Sequence, residues 1–173
     1  MRMNRSVVNA LTVDVEDAIN LAMRNYFNVE MKPTDRVINN TMKLLDLLSE
    51  YSVLGTFFVL GEVAETFPGL IKEIAARGHE LGIHGYSHLK YYSLSKEKAR
   101  EEIIKSKIIL EDITGQTVIG HRAPEFSVNK KTNWVLELLI EAGIKYDSSI
   151  FPTDSARYGW PGFNKDISLF KLN

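Results

Sequence analysis

The chain has 173 residues, 45% hydrophobic and 25% charged, with 21 basic and 22 acidic side chains for a formal net charge of −1. That composition fits one globular domain and excludes a disordered chain or a basic footprint for nucleic acid or anionic membrane. It has no cysteine, which excludes disulfides and thiolate metal ligands, and no apolar run near the ~18 residues of a membrane span.

The N-terminal stretch has basic residues followed by V-V-N-A-L-T-V, but Asp14 and Glu16 interrupt it before any cleavage-site pattern. It reads as a strand and not as a signal peptide, so the expected location is cytoplasmic. Val7 to Val15 forms this first strand and ends in the acids Asp14, Glu16 and Asp17. Pro33, Thr34 and Asp35 then start a helix in which Val37, Ile38, Met42, Leu44, Leu45 and Leu48 recur at near-helical spacing up to Tyr51. Val53 to Leu60 is a continuous apolar run of the kind buried on both faces of a parallel sheet. Pro68 opens a helix that Gly78 caps, and His79 to Ile83 is the third strand. Ser93 or Ser95 caps a long helix to Ile113, with Ile103, Ile104, Ile108 and Leu110 as its buried stripe and Gly115 as its stop. Thr117 to Gly120 is a fourth strand, Lys130 to Ala142 a helix capped by Asn129, and Ile144 to Tyr146 a fifth strand. An irregular Pro-, Gly- and aromatic-rich loop runs from Phe151 to Asn164, and Ile167 to Leu172 is a sixth strand candidate.

Strands alternating with helices imply parallel β-α units, whose chemistry gathers at the carboxyl ends of the strands. Those positions hold Asp14 with Glu16 and Asp17, then His84 with His88, then Arg122, then Asp147. Two imidazoles and one carboxylate can bind a divalent ion and leave a position for water, whose pKa falls toward 7 on zinc. A second carboxylate can then act as general base, held ionised by Arg122. That set is a hydrolase of acyl groups. His79 lies at the wrong strand end and reads as structural, while alternation points His121 away from the site. Tyr86, Trp160 and Phe163 are either a sugar-stacking wall or lids over the core.

T-V-D-V-E-D, G-H-E-L-G-I-H-G-Y-S-H, H-R-A-P-E-F and Y-D-S-S, in this order from Leu11 to Pro152, resemble the motifs of the polysaccharide deacetylase family, the NodB-homology domain of carbohydrate esterase family four. The branch linked to exopolysaccharide biosynthesis is the most similar. The resemblance implies a deformed (β/α) barrel that removes acetyl groups from N-acetylated, less often O-acetylated, sugars of an oligo- or polysaccharide. It also implies a divalent metal, zinc foremost, with cobalt, iron, manganese or nickel as alternatives. Asp14 would be the general base, His84 and His88 metal ligands, Arg122 the residue orienting Asp14, and Asp147 a brace for Arg122. Pro124 lacks an N–H, so the backbone amide of Glu125 would stabilise the oxyanion. The third ligand would be Glu16, on the same strand face as Asp14, or Asp17 if the chain turns sharply after Val15.

The sequence departs from the family in having no histidine after Asp147, where members carry a late leucine-histidine motif. With five or six β-α units, the expectation is a single catalytic domain over 1–173, incomplete at its C-terminus. Metal binding would survive while turnover is weakened, and the open edge would favour homo-oligomers. The alternatives are an allantoinase-like cyclic amide hydrolase and a non-catalytic metal- or carbohydrate-binding domain.

Overall fold

The computed structural model describes residues 9–155 and 158–169. Five parallel strands pair strictly in chain order: β1 (Thr12–Val15), β2 (Thr56–Val59), β3 (Glu80–Ile83), β4 (Gly120–His121) and β5 (Tyr146–Asp147). Between them run α1 (Ala18–Phe27), α2 (Arg36–Glu50), α3 (Gly61–Thr66), α4 (Pro68–Ala76), α5 (Lys96–Thr114) and α6 (Val135–Glu141). Right-handed crossovers that always step the same way put every helix on one face. This is the wall of a barrel and not a doubly wound sheet, in which the strand order reverses.

The two faces of this wall differ as period-two alternation requires. Val15, Phe57, Val59, Leu81 and Ile83 belong to the core beneath the helices. The opposite face carries one register row, Asp14, Phe58, Gly82, Gly120 and Tyr146, from edge to edge. Two glycines make that row possible. A Cβ on Gly82 would lie 2.5 Å from the Phe58 ring, and one on Gly120 would collide with the Tyr146 phenol. Phe57 to Leu60 are fully buried, which explains the unbroken apolar run.

The expected strands and helices form, with three kinds of difference. First, α1 and α3 are not among the expected elements: α1 buries the polar Asn20 beside Leu21, and α3 is too short to display a period. Second, α5 has its expected caps, Ser95 and a left-handed Gly115, but its buried face is Ala99, Glu102, Ile103, Ser106 and Leu110. Ile104 and Ile108 are 39% and 50% exposed. The small Ala99 and Ser106 let the helix sit close to its neighbours, and Glu102 is drawn inward by hydrogen bonds described below. Third, β4 and β5 begin three and two residues later than expected, and 130–134 is a turn before α6. The sixth strand does not form over 167–169, where Ile167 and Leu169 are fully solvated; its remaining residues, like Val7 and Val8, lie outside the described residues. No described helix is long and apolar enough to cross a membrane.

Candidate active site

Asp14 and Glu16 stand at and just past the end of β1, on the same face, and His84 follows β3 directly. Glu16 Oε2 lies 3.0 Å from His88 Nε2 and 3.6 Å from His84 Nε2, and Asp14 Oδ2 lies 3.9 Å from His84 Nε2. One ligand atom from each of Glu16, His84 and His88 falls within 4.8 Å of the others. Gly85 (φ 73) and His88 itself (φ 58) take left-handed backbone that doubles the loop back, so that both rings face the acid. For a histidine this conformation is strained, and such strain persists only where the surroundings enforce it.

The donor set fits a divalent cation. Glu16 Oε2 is buried and meets no donor in hydrogen-bond geometry, which is costly unless something positive sits there. His84 Nδ1 donates to the Arg122 carbonyl at 2.8 Å, which leaves a lone pair on Nε2 aimed toward Glu16. Burial alone would push the Glu16 carboxyl up, but the hydrogen bonds and positive charge that His84 and His88 offer when protonated outweigh it and hold it at about 2, a demand for positive charge that a cation on the neutral imidazoles would meet instead.

Arg122 ties the other half together. Its Nη1 donates to Asp14 Oδ1 at 2.8 Å, its Nη2 to Thr12 Oγ1 and Ser148 Oγ, both at 2.9 Å, and its Nε to the Ser148 carbonyl at 3.3 Å. The guanidinium rests on the Phe58 ring, 4.4 Å from its centroid. Fixed on both sides, it holds one Asp14 oxygen and leaves Oδ2 turned toward His84.

Asp147 does not reach Arg122. It accepts from His121 Nδ1 at 2.6 Å and from the Ser149 amide and hydroxyl, while His121 Nε2 faces the Tyr91 hydroxyl at 2.9 Å. The register pairs His121 with Asp147, so the alternation that turns one away from the site turns the other away as well. Asp147 acts on this loop only through Ser149, whose hydroxyl accepts from the Ala123 amide at 2.7 Å. Asp17 is also outside the cluster: it is the N-cap of α1, its oxygens accepting from the Ile19 and Thr34 amides, and it is 2% exposed. Of the two acids considered as third ligand, only Glu16 joins the histidines.

The remaining candidates separate by contact. His79 Nδ1 accepts from the Gly55 amide and is structural. Tyr86 has one face covered by Lys105, with Nζ 3.5 Å from the ring centroid, and its hydroxyl bound to Glu65. Trp160 stacks on Phe163, while Phe126, Phe151 and Tyr158 form a separate trio. Glu125 has φ 49 and its carboxylate lies 3.3 Å from Lys90 Nζ. The sequence reading gives Thr12, Phe58 and Ser148 no role at the site, although Ser148 stands beside Asp147 at a strand end and Thr12 shares the strand face of Asp14.

A one-directional β/α wall with two histidines and two acids at its strand ends defines a metal-site class of barrel proteins. Within that class the chain belongs to the polysaccharide deacetylase family, whose model matches residues 30–146. A peptidoglycan deacetylase of Helicobacter pylori is 35% identical over 116 residues, covering 67% of this chain and 39% of that protein. A peptidoglycan-N-acetylglucosamine deacetylase of Bacillus cereus is 33% identical over 126 residues, covering 73% of this chain and 43% of that one. A Mycobacterium smegmatis crystal structure given the same family assignment aligns with TM-score 0.70 at 32% identity, over 84% of this chain and 51% of the other. The chain thus spans about half or less of the length of these relatives, and its strand order matches their deformed barrel fold.

Proposed function

We propose that the chain is the metal-binding part of a carbohydrate N-deacetylase, hydrolysing the acetamide of an N-acetylhexosamine in a polysaccharide to acetate and a free amine. The observation that carries this is the convergence of Glu16, His84 and His88 beside an Asp14 that Arg122 holds in place. Glu16, His84 and His88 would hold the cation, zinc foremost, which supplies Lewis acidity and a water of lowered pKa. Asp14 takes the proton of the attacking water, and Arg122 keeps it ionised and aimed. The main-chain amide of Glu125, the first residue after Pro124 with an N–H to give, would serve the developing oxyanion. The names of the two bacterial relatives point to N-acetylglucosamine of a wall polymer as the substrate class.

The test is acetate release from chito-oligosaccharides and from peptidoglycan fragments by zinc- or cobalt-loaded protein, run beside Asp14→Asn. Release that disappears in the variant supports the reading. Metal uptake with no acetate from either polymer overturns it, and turnover of a cyclic ureide in a parallel arm would move the assignment to ring-opening amide hydrolysis.

A further inference from the structure

α5 turns a carboxylate inward at a place where its stripe calls for an apolar residue. Glu102 is 5% exposed, and among the described residues it forms no ion pair. A buried charge survives only when donors satisfy it. Every donor to its carboxylate comes from the three residues between the two histidines: the Tyr86 amide at 3.0 Å, the Ser87 amide at 2.9 Å and the Ser87 hydroxyl at 3.0 Å. The carbonyls of the same loop are held from the opposite side. The Gly61 and Glu62 amides at the start of α3 donate to the Gly85 and Tyr86 carbonyls at 2.9 and 3.0 Å. Arg24 Nη1 donates to the Ser87 carbonyl at 2.7 Å, with its Nη2 paired to Glu62 at 2.7 Å.

From this we infer that Glu102 is a positioning residue for the cation site: it locks the Gly85–Ser87 backbone so that His84 and His88 stand in ligand geometry before any metal arrives. The inference rests on the metal-site reading above. It accounts for the strained φ of His88, which needs an enforcing loop, and for the cost of burying an acid on a helix that already has enough apolar residues to pack. A carboxylate suits this task because one oxygen accepts both adjacent amides by charge-assisted hydrogen bonds, while the other takes the serine hydroxyl.

Two measurements test it. In metal-free wild-type protein, hydrogen exchange at the Tyr86 and Ser87 amides should be as slow as at the β3 amides; exchange at the rate of exposed loop amides overturns the inference without any variant having to fold. Zinc titration of wild type, Glu102→Gln and Glu102→Ala should then show affinity falling about 10- to 100-fold in Ala and kept within about threefold in Gln, whose carbonyl oxygen can still take both amides. A folded Glu102→Ala protein that melts earlier yet binds zinc like wild type reduces Glu102 to a stabilising residue and overturns its positioning role. If wild type takes up no zinc, the metal-site reading fails, and the exchange result still decides whether Glu102 orders the loop.

Discussion

At the scale of single residues, three neighbouring acids take three different surroundings: Arg122 holds Asp14, two imidazoles face Glu16, and Asp17 caps a helix. Alternation along a strand accounts for the first two, which share a face, and it turns His121 away. Applied equally to Asp147, it would have predicted the His121–Asp147 pair, because the two residues are register partners. Asp17 is an aspartate directly before Ala18–Phe27, an N-cap signal in itself, but with no helix expected there it reads as a possible ligand. The two acids next to Asp14 are therefore separable by experiment. Glu16→Ala should abolish stoichiometric zinc uptake and leave a folded protein. Asp17→Ala should keep zinc uptake and lose about 1–2 kcal/mol of stability with its cap hydrogen bonds. Paired metal analysis and urea melts check both, and an Asp17→Ala protein that folds but takes up no zinc would reverse the assignment. For the proposed general base, Asp14→Asn should lower kcat about 10²- to 10⁴-fold with zinc affinity little changed. Equal losses of affinity and turnover would make Asp14 a ligand instead.

At the scale of elements, the first three strands are legible as apolar or β-branched runs, whereas β4 and β5 are two residues each and share only Gly120 and Tyr146 with the runs that announce them. The face of α5 is not legible, because Ile103, Ile104, Ile108 and Leu110 allow two helical stripes one residue apart, and a buried Glu102 decides between them. Contacts between elements carry two further expectations. Gly82→Ala on β3 pushes a methyl into the Phe58 ring that supports Arg122. It should cost about 1–3 kcal/mol and lower kcat more than it changes zinc affinity. The second concerns the segment after the histidine loop, where burial holds the Tyr91 hydroxyl far above its ordinary pKa of 10.0, helped by Asp147 and Glu102 nearby. Below about pH 10 the phenol is protonated in folded and unfolded states alike and contributes no pH dependence. Above it the unfolded chain ionises first, so stability falls as pH rises toward the higher folded value. Tyr91→Phe should flatten this alkaline limb while costing about 1–3 kcal/mol at neutral pH, since His121 loses a buried partner. Urea melts from pH 8 to 11 measure both, and an unchanged alkaline slope would exclude Tyr91 as its source.

At the scale of the whole molecule, the strand order decides what a bound cation does to stability. The proposed ligands come from the ends of β1 and β3, which flank β2 in the sheet, so the site would close across three strands instead of within one loop. Opening the site by parting the strands breaks the register between β1, β2 and β3, and with it the row that carries Asp14 and Phe58. Zinc should therefore raise the midpoint of global unfolding and not merely quieten a loop. At a free concentration 100 times its Kd, the gain is about 2.7 kcal/mol. For a domain of this size that is a rise in Tm of roughly 5–11 °C, reversed by a chelator. Glu16→Ala should show no such response. Glu102→Ala should need about 10- to 100-fold more zinc for the same rise, because its loop must be ordered at the expense of binding. A wild-type Tm that ignores zinc and chelator alike, with zinc demonstrably bound, would mean that the cation sits elsewhere than across these strands.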